Sequence, residues 1–474
     1  MYTNNYKIKK TCRSIIFMFA VLSFTSLSKV NAQSIPVFEA GEKVCFVGDS
    51  ITHSDHYLRL LRYFYQVRFP EKPITIENCG ISGDSLPSVL SRFDTDIAAK
   101  APSYVVVMMG MNDVNRHLYA KDDETTLINR ARAIKAFQKN LSVLCDRLEA
   151  IAVKHVVLMS PSIYDEYSTN ANAKPVIKGL NEYGLSAITE VVKTMATSRG
   201  LGYVPIYEKT LEVTLQRQAH DPSASLINWD RIHPGPTGAY VMAATILTSQ
   251  QQSPIAARTL INYEDASLSQ SLHTNMTDLK RMTDQSLEGT WILNRLPMLM
   301  DGFMKTEQTD CLQKLNQMRM QIVNLPENSQ WELLLQGKVV GTYNAEDLGK
   351  GVDLAGIKNP PWDQSSRAIL KLSYQYSQMT IKQLRDPLAA QKFLNITRSR
   401  WSQKHDTALP EDDVEAMKQV LAESSTGYVA MLFKNALKFG HMQEQTLNQI
   451  NALQTQAYDH KPSVAIAFQL RPKQ

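Results

Sequence analysis

KVCFVGDS, at residues 43–50, joins a run of four apolar residues to a Gly-Asp-Ser turn. The apolar part, residues 44–47, is short and continuous, which is typical of a strand. Ser50 is therefore predicted to lie on a turn directly beyond the strand. In that place a serine exposes its hydroxyl, and its own backbone N–H can help to receive an oxyanion.

The same pattern of strand and turn recurs along the chain. Three further strands and two amphipathic helices are predicted, at residues 74–77, 104–109 and 156–159 and at residues 56–69 and 130–152. Alternating strands and helices predict a parallel sheet covered on both faces, a three-layer α/β domain. Because ligands bind at the carboxyl ends of such strands, Ser50, Gly80 and Gly110 are expected to share one edge.

Two more segments complete the groups needed for acyl transfer. Residues 110–113 read GMND, and residues 230–234 read DRIHP. His233 can accept the serine proton and return it to a leaving alcohol. Asp230, three residues earlier, can hold the imidazole in the required tautomer. Each segment taken singly is an ordinary turn, and the combination carries the prediction.

The set and order of these segments resemble the SGNH hydrolases, also called the GDSL lipase/esterase family. The resemblance covers about residues 43–247 and implies the flavodoxin-like fold of that family. It implies these site residues: a catalytic triad of Ser50, Asp230 and His233, and an oxyanion hole of Ser50, Gly83 and Asn112. The serine chemistry needs neither a metal nor a cofactor, and no His/Asp/Glu cluster has ligand spacing.

The chain has 474 residues, enough for two compact domains. We predict a hydrolase domain over residues 33–250 and a C-terminal domain over residues 251–474. The second domain is expected to be mixed α+β, with a small sheet that carries a long helical excursion from residue 366 to residue 458. Its predicted elements are strands at 318–325, 331–336, 339–343 and 463–470 and helices at 276–299 and 414–454.

Residues 1–32 have the pattern of a secretory signal peptide. Basic residues at positions 7–13 precede an apolar core at 14–28 and the small-residue site Val30-Asn31-Ala32. Cleavage is expected between Ala32 and Gln33, which gives a secreted or periplasmic protein. The apolar core is shorter than the roughly 20 residues that span a bilayer, so no stable membrane insertion is expected.

Charge and cysteine content restrict the possible partners. The leader holds five of the 51 Lys and Arg residues and none of the 46 Asp and Glu residues, so the mature chain is neutral. A neutral surface argues against a nucleic-acid partner. Four cysteines remain, at positions 45, 79, 145 and 311, without zinc spacing. Cys45 and Cys79 could form a disulfide, but buried free thiols are favoured.

Five other residues near the motifs have polar or aromatic side chains that could serve a site. His53, His56 and His117 are expected to be surface or capping groups rather than pocket residues. Asp113 is expected to brace the Asn112 loop. Trp229 could form a platform for a sugar ring or an acyl group, although a place in the core is favoured.

The sequence thus predicts a secreted serine esterase, a carboxylic ester hydrolase that removes a small acyl group, most plausibly acetyl, from a carbohydrate. The combination of a signal peptide and an added domain is similar to the arrangement in carbohydrate-esterase members of the family. The enzymatic alternative is a lipase or lysophospholipase. A different class, a non-catalytic carbohydrate-binding protein on the same fold, is the third hypothesis.

Overall fold

The fold consists of one parallel sheet followed by two further sheets and a group of helices. The computed structural model describes residues 34–299, 314–405, 407–460 and 463–473. The predicted signal peptide and Cys311 lie outside these ranges. Within them, no helix has the length and apolar character needed to cross a membrane.

The parallel sheet has the strand order β2-β1-β3-β4-β5. Its strands are β1 (Lys43–Gly48), β2 (Thr75–Gly80), β3 (Tyr104–Met108), β4 (His155–Met159) and β5 (Gly202–Val204). Residue pairs such as Val47 with Cys79 and Val47 with Val107 fix the register of β1 against its neighbours β2 and β3. The first four strands were predicted, and the three-layer flavodoxin-like fold is confirmed.

Helices cover both faces of this sheet because its side chains alternate between two apolar cores. Val44 and Phe46 point into one core, whereas Cys45 and Val47 point into the other. The helices of this part of the chain are α1 (Ser50–His53), α2 (His56–Arg68), α3 (Leu86–Ser91), α4 (Glu124–Ala150), α5 (Ser186–Arg199), α6 (Ile206–Gln218) and α7 (Pro236–Ser249).

The C-terminal part forms two sheets. A four-stranded mixed sheet contains β6 (Ile255–Asn262), β7 (Ser267–Leu272), β10 (Gln317–Val323) and β13 (Val352–Asp353). A five-stranded antiparallel sheet contains β8 (Thr274–Arg281), β9 (Leu287–Leu293), β11 (Gln330–Leu335), β12 (Lys338–Asn344) and β14 (Val464–Pro472). The strands predicted at 331–336 and 339–343 are present as an antiparallel pair, and the predicted final strand is also present, in a mixed α+β domain.

The helix predicted over residues 276–299 is wrong, because β8 and β9 occupy most of that range. Its Met, Leu and Gln residues have high helix propensity, but propensity yields to burial in a sheet. Leu287, Trp291 and Leu293 are buried at alternate positions, which is the period of a strand.

The described residues of the C-terminal part also form six helices: α8 (Ala345–Lys350), α9 (Asp363–Met379), α10 (Asp386–Trp401), α11 (Asp413–Glu423), α12 (Tyr428–Phe439) and α13 (Gln443–Asp459). A π-helical turn, Thr380–Arg385, joins α9 directly to α10. Helix α9 packs on α2, and the Tyr376 hydroxyl donates to the carbonyl of Ile76 in β2 at 3.2 Å. The predicted helical excursion therefore covers β2, which is the edge strand of the parallel sheet.

The two parts of the chain share one apolar core. Leu61 and Phe64 of α2 belong to the same buried cluster as Trp291 and Phe468 of the antiparallel sheet. The buried Arg68 guanidinium also donates to the carbonyl oxygens of Ser253, Ile255 and Leu315. The domain boundary near residue 250 remains a prediction, and the two parts are packed as one body there.

The cysteines of the parallel sheet are free thiols. Cys45 and Cys79 are fully buried on neighbouring strands and are not joined by a disulfide. Cys145 on α4 is likewise buried and free. The described cysteines therefore follow the favoured prediction of buried thiols.

Candidate active site

Ser50 begins helix α1 at the carboxyl end of β1. Asp49 caps this short helix, since its Oδ1 accepts the Ile51 N–H at 2.9 Å. The turn requires glycine at position 48, because a Cβ atom there would lie 2.0 Å from Thr52 Oγ1. Local packing thus fixes the place of the serine above the sheet edge.

A continuous chain of hydrogen bonds joins Ser50 to His233 and Asp230. The Ser50 hydroxyl lies 2.7 Å from His233 Nε2, and His233 Nδ1 lies 2.5 Å from Asp230 Oδ2. The second oxygen of Asp230 accepts the backbone N–H groups of Ile232 and His233, each at 3.0 Å. The structure therefore brings the three predicted triad residues together in the order of nucleophile, base and orienting acid.

Asp230 is held in its ionised form. Partial burial opposes ionisation, but hydrogen bonds from the His233 side chain and from the backbone of residues 232 and 233 outweigh it, so the pKa of Asp230 falls to about 2. An ionised carboxylate can stabilise a positive charge on the neighbouring imidazole. Asp230 therefore suits the role of orienting acid.

The loop that carries Asp230 and His233 depends on Arg231, which the sequence analysis did not single out. Arg231 has a left-handed backbone, with φ of 66°. Its side chain is buried and donates from Nη1 to the carbonyl oxygens of Asp165 at 2.9 Å and Ser168 at 3.2 Å. These bonds anchor the strained turn to the loop that follows β4.

Asn112 lies against the residues that flank the nucleophile and Gly83. Its Nδ2 donates to the carbonyl oxygen of Asp84 at 2.8 Å and faces Asp49 Oδ2 at 3.4 Å. Arg116 donates to Asn112 Oδ1 at 3.2 Å. Because the guanidinium can only donate, it fixes the amide with its N–H groups on the side of Asp49 and Asp84.

Gly83 lies in a loop between β2 and α3 and adopts a left-handed conformation, with φ of 73°. A Cβ atom at this position would lie 3.7 Å from Lys392 Nζ and 3.8 Å from Phe393 Cζ. Both neighbours belong to α10, so a helix of the C-terminal part lies directly beside the predicted oxyanion donor. Nothing in the local motif indicated this neighbour.

Two buried carboxyl groups support the loops of the site. Burial raises the pKa of Asp49 and of Asp113 to about 6 in each case. Asp113 Oδ1 accepts the N–H of Leu86, the first residue of α3, at 2.7 Å. This bond ties the Asn112 loop to the segment that follows Gly83, which is the bracing contact expected of Asp113.

Asp113 should make stability depend on pH. Its pKa is about 6 in the folded protein against 3.8 for the free group, so the folded state holds the proton more tightly. The free energy of unfolding should therefore fall as pH rises from about 4 to 7, by up to about 3 kcal/mol. Asp113→Asn should remove this loss and stabilise the protein at pH 8 but not at pH 4, as measured by denaturant unfolding. The control is Asp122→Asn, because that side chain is 83% exposed. Equal effects of Asp113→Asn at both pH values would show that the raised pKa of Asp113 is not the cause of the pH dependence.

The other candidate residues divide into two groups. His56 and His117 are exposed, as expected, but His56 also lines the pocket beside His233, where no pocket role was expected. His53, expected at the surface or as a cap, is instead buried and bonded to Asp386 and Ser82. Trp229, for which a core position was favoured, is 60% exposed beside Asp230. These two predictions were wrong because tertiary contacts of the loops decide burial.

Comparisons with known proteins concern the family and the fold of this chain. Residues 46–241 match the sequence model of the GDSL-like Lipase/Acylhydrolase family. A curated relative, the acetylxylan esterase of Geobacillus stearothermophilus, is 27% identical over 233 residues, which cover 44% of this chain and 93% of the relative. A solved structure of a gut microbial diltiazem-metabolizing enzyme superposes with a TM-score of 0.79 at 22% identity. That match covers 93% of this chain and 99% of the other, so both parts of the fold are shared.

Proposed function

Because this chain belongs to the GDSL-like lipase/acylhydrolase family, as an SGNH hydrolase and a carboxylic ester hydrolase, we propose that it removes short acyl groups, above all acetyl, from carbohydrates by serine catalysis. The observation that carries this proposal is the hydrogen-bonded chain from Ser50 through His233 to Asp230. The proposed setting is extracellular or periplasmic, on the basis of the predicted signal peptide.

In the proposed mechanism, Ser50 Oγ attacks the ester carbonyl while His233 Nε2 takes its proton. The oxyanion that forms is stabilised by the backbone N–H groups of Ser50 and Gly83 and by Asn112 Nδ2. Asn112 can exchange its long contact with Asp49 for the oxyanion and still keep its bond to Asp84. His233 then protonates the leaving alcohol, and water hydrolyses the acyl-enzyme by the same steps in reverse order.

The size of the pocket beside His233 supports the proposal that the acyl group is short. A pocket of about 100 Å³ lies next to His233 and is lined by Ile51, Tyr57 and Met242 among others. Pockets that enclose drug-sized ligands measure roughly 300–1,000 Å³, so this pocket is small. An acetyl group fits this volume better than a long acyl chain.

The position of Trp229 supports the proposal that the alcohol part of the ester is a carbohydrate. Its ring is 60% exposed and directly precedes Asp230, and Lys174 Nζ lies 5.1 Å from the ring centroid. An exposed indole at the edge of a site offers an apolar face on which a sugar ring can pack. The curated relative is named as an acetylxylan esterase, which agrees with this substrate class.

Trp229→Ala should separate sugar binding from catalysis. We expect kcat/KM on acetylated xylooligosaccharides to fall roughly three- to tenfold, which corresponds to the loss of one aromatic contact. The rate on 4-nitrophenyl acetate should change less than twofold. The matched control is Tyr374→Ala, since Tyr374 is 50% exposed on α9. Equal losses on both substrates would remove Trp229 from the sugar site.

Two assays test the proposed function as a whole. Acetate release should be measured across acetylated polysaccharides and oligosaccharides, and 4-nitrophenyl esters from acetate to octanoate should be compared. We expect acetate release from a carbohydrate and a steep fall in rate with acyl length. A preference for octanoate would overturn the carbohydrate proposal in favour of a lipase or lysophospholipase.

A further inference from the structure

Residues 80–84, which we call the oxyanion segment, are covered by helices of the C-terminal part. The Arg385 Nε–H donates to the carbonyl of Gly80 at 3.0 Å, and Lys392 Nζ donates to Asp84 Oδ1 at 2.8 Å. The Tyr428 hydroxyl donates to Ser82 Oγ at 2.5 Å. Three helical elements that follow residue 380 thus bond to a segment of five residues.

A buried polar relay links the same helices to the end of the nucleophile helix. The Ser82 N–H donates to His53 Nδ1 at 3.1 Å, and His53 Nε2 lies 3.0 Å from Asp386 Oδ1. Because a backbone N–H can only donate, Nδ1 must accept, so Nε2 carries the proton and donates to Asp386. Asn435 Nδ2 donates to the other oxygen of Asp386 at 2.7 Å.

The relay of Ser82, His53 and Asp386 also sets the orientation of the Ser82 N–H. His53 and Asp386 are 3% and 1% exposed, and a buried polar network costs free energy that well-packed apolar side chains would not. What the network supplies is the orientation of the Ser82 N–H, one residue before Gly83. The left-handed Gly83 lies outside any helix or strand, in a turn that the Asp84 N–H closes on the carbonyl of Ile81 at 3.1 Å. An oxyanion donor must keep its geometry closely.

We propose that Asp386 and Tyr428 are positioning residues of the oxyanion hole, which act through His53 and Ser82 to hold the Gly83 N–H toward Ser50. This inference rests on the proposed serine mechanism and gives the C-terminal helices a role in the hydrolysis of every ester, including small ones. Neither residue touches the reacting atoms, so their effect should fall on the transition state and leave ground-state binding unchanged.

The decisive variants are Tyr428→Phe, which removes one hydroxyl, and Asp386→Asn, which weakens the bond to His53. On 4-nitrophenyl acetate, kcat should fall about fivefold for the first and about tenfold or more for the second, with KM within twofold. The affinity for methylboronic acid, which forms a tetrahedral adduct with a catalytic serine, should fall by the same factors as kcat. Thermal unfolding should be recorded for each variant.

The matched control is Asp413→Asn. Asp413 lies in the same helical group and binds Gln391 and Arg398 on the surface, with no contact to the oxyanion segment among its hydrogen bonds. Its kcat and boronate affinity should equal those of the wild type. If Ser50→Ala is inactive but Tyr428→Phe keeps kcat and boronate affinity within twofold, the positioning role is wrong and the serine mechanism stands. If Ser50→Ala remains active, the serine mechanism itself fails.

Discussion

Ser50→Ala is expected to lower the rate of ester hydrolysis by about 10⁴-fold or more while the protein stays folded. The substitution removes the Oγ atom that lies 2.7 Å from His233 Nε2 and leaves the helix cap of Asp49 intact. Without that atom no acyl-enzyme can form, and only the oxyanion donors and substrate binding remain. The measurement is kcat on 4-nitrophenyl acetate, with circular dichroism to verify the fold.

Ser103→Ala is the matched control for this prediction. Ser103 lies just before β3, at the amino ends of the strands and away from the site, and its hydroxyl accepts the Lys43 N–H. Its replacement should leave kcat unchanged. If Ser50→Ala retains more than a few per cent of the wild-type rate, another nucleophile is in use. Ser82, beside His53, would then be the first residue to replace.

The catalytic part of the fold could be predicted because its signals are local. The buried strands are continuous apolar runs, and the polar residues of the site directly follow them in the sequence. A parallel sheet brings such strand ends to one edge regardless of what lies elsewhere in the chain. Ser50 and the Asn112 loop were placed correctly for this reason, and β5 was missed because three residues give too short a pattern.

The surroundings of the site could not be predicted, because they depend on distant residues. His53 is buried, and one of its partners, Asp386, lies 333 residues later in the chain. The exposure of Trp229 depends on the path of its loop, which Arg231 anchors through three carbonyl oxygens. No periodicity in the sequence reports such contacts. Strands β8 and β9 were missed for the same reason. The alternation of buried and exposed side chains along them can be recognised only when their partner strands are known.

The C-terminal helices change how the two-part architecture should be understood. A separate accessory domain would affect the hydrolysis of polymeric substrates and leave the hydrolysis of small esters unchanged. Here the shared core and the bonds to residues 80–84 couple the helices to the catalytic edge itself. Removing the C-terminal part should therefore expose apolar surface and loosen the oxyanion segment together, so point variants are the informative experiment.

The base and its orienting acid should respond differently to substitution. His233→Ala should be nearly as damaging as Ser50→Ala, because no other group accepts the serine proton. Asp230→Ala should keep roughly ten- to hundredfold more activity than His233→Ala, since the orienting acid sets the tautomer and stabilises charge without taking the proton. The measurement is kcat on 4-nitrophenyl acetate at pH 8 for all three variants.

Asp230→Asn tests the tautomer directly, because Asp230 has two separable roles in the structure. Its Oδ1 accepts the backbone N–H groups of Ile232 and His233, and an asparagine oxygen can keep both bonds. Its Oδ2 accepts from His233 Nδ1, and an amide nitrogen there would donate instead and place the imidazole proton on Nε2. Nε2 could then no longer accept the Ser50 proton, so kcat should fall by about 10⁴-fold with the melting temperature nearly unchanged. A variant with more than a tenth of the wild-type kcat would show that Asp230 only shapes the turn.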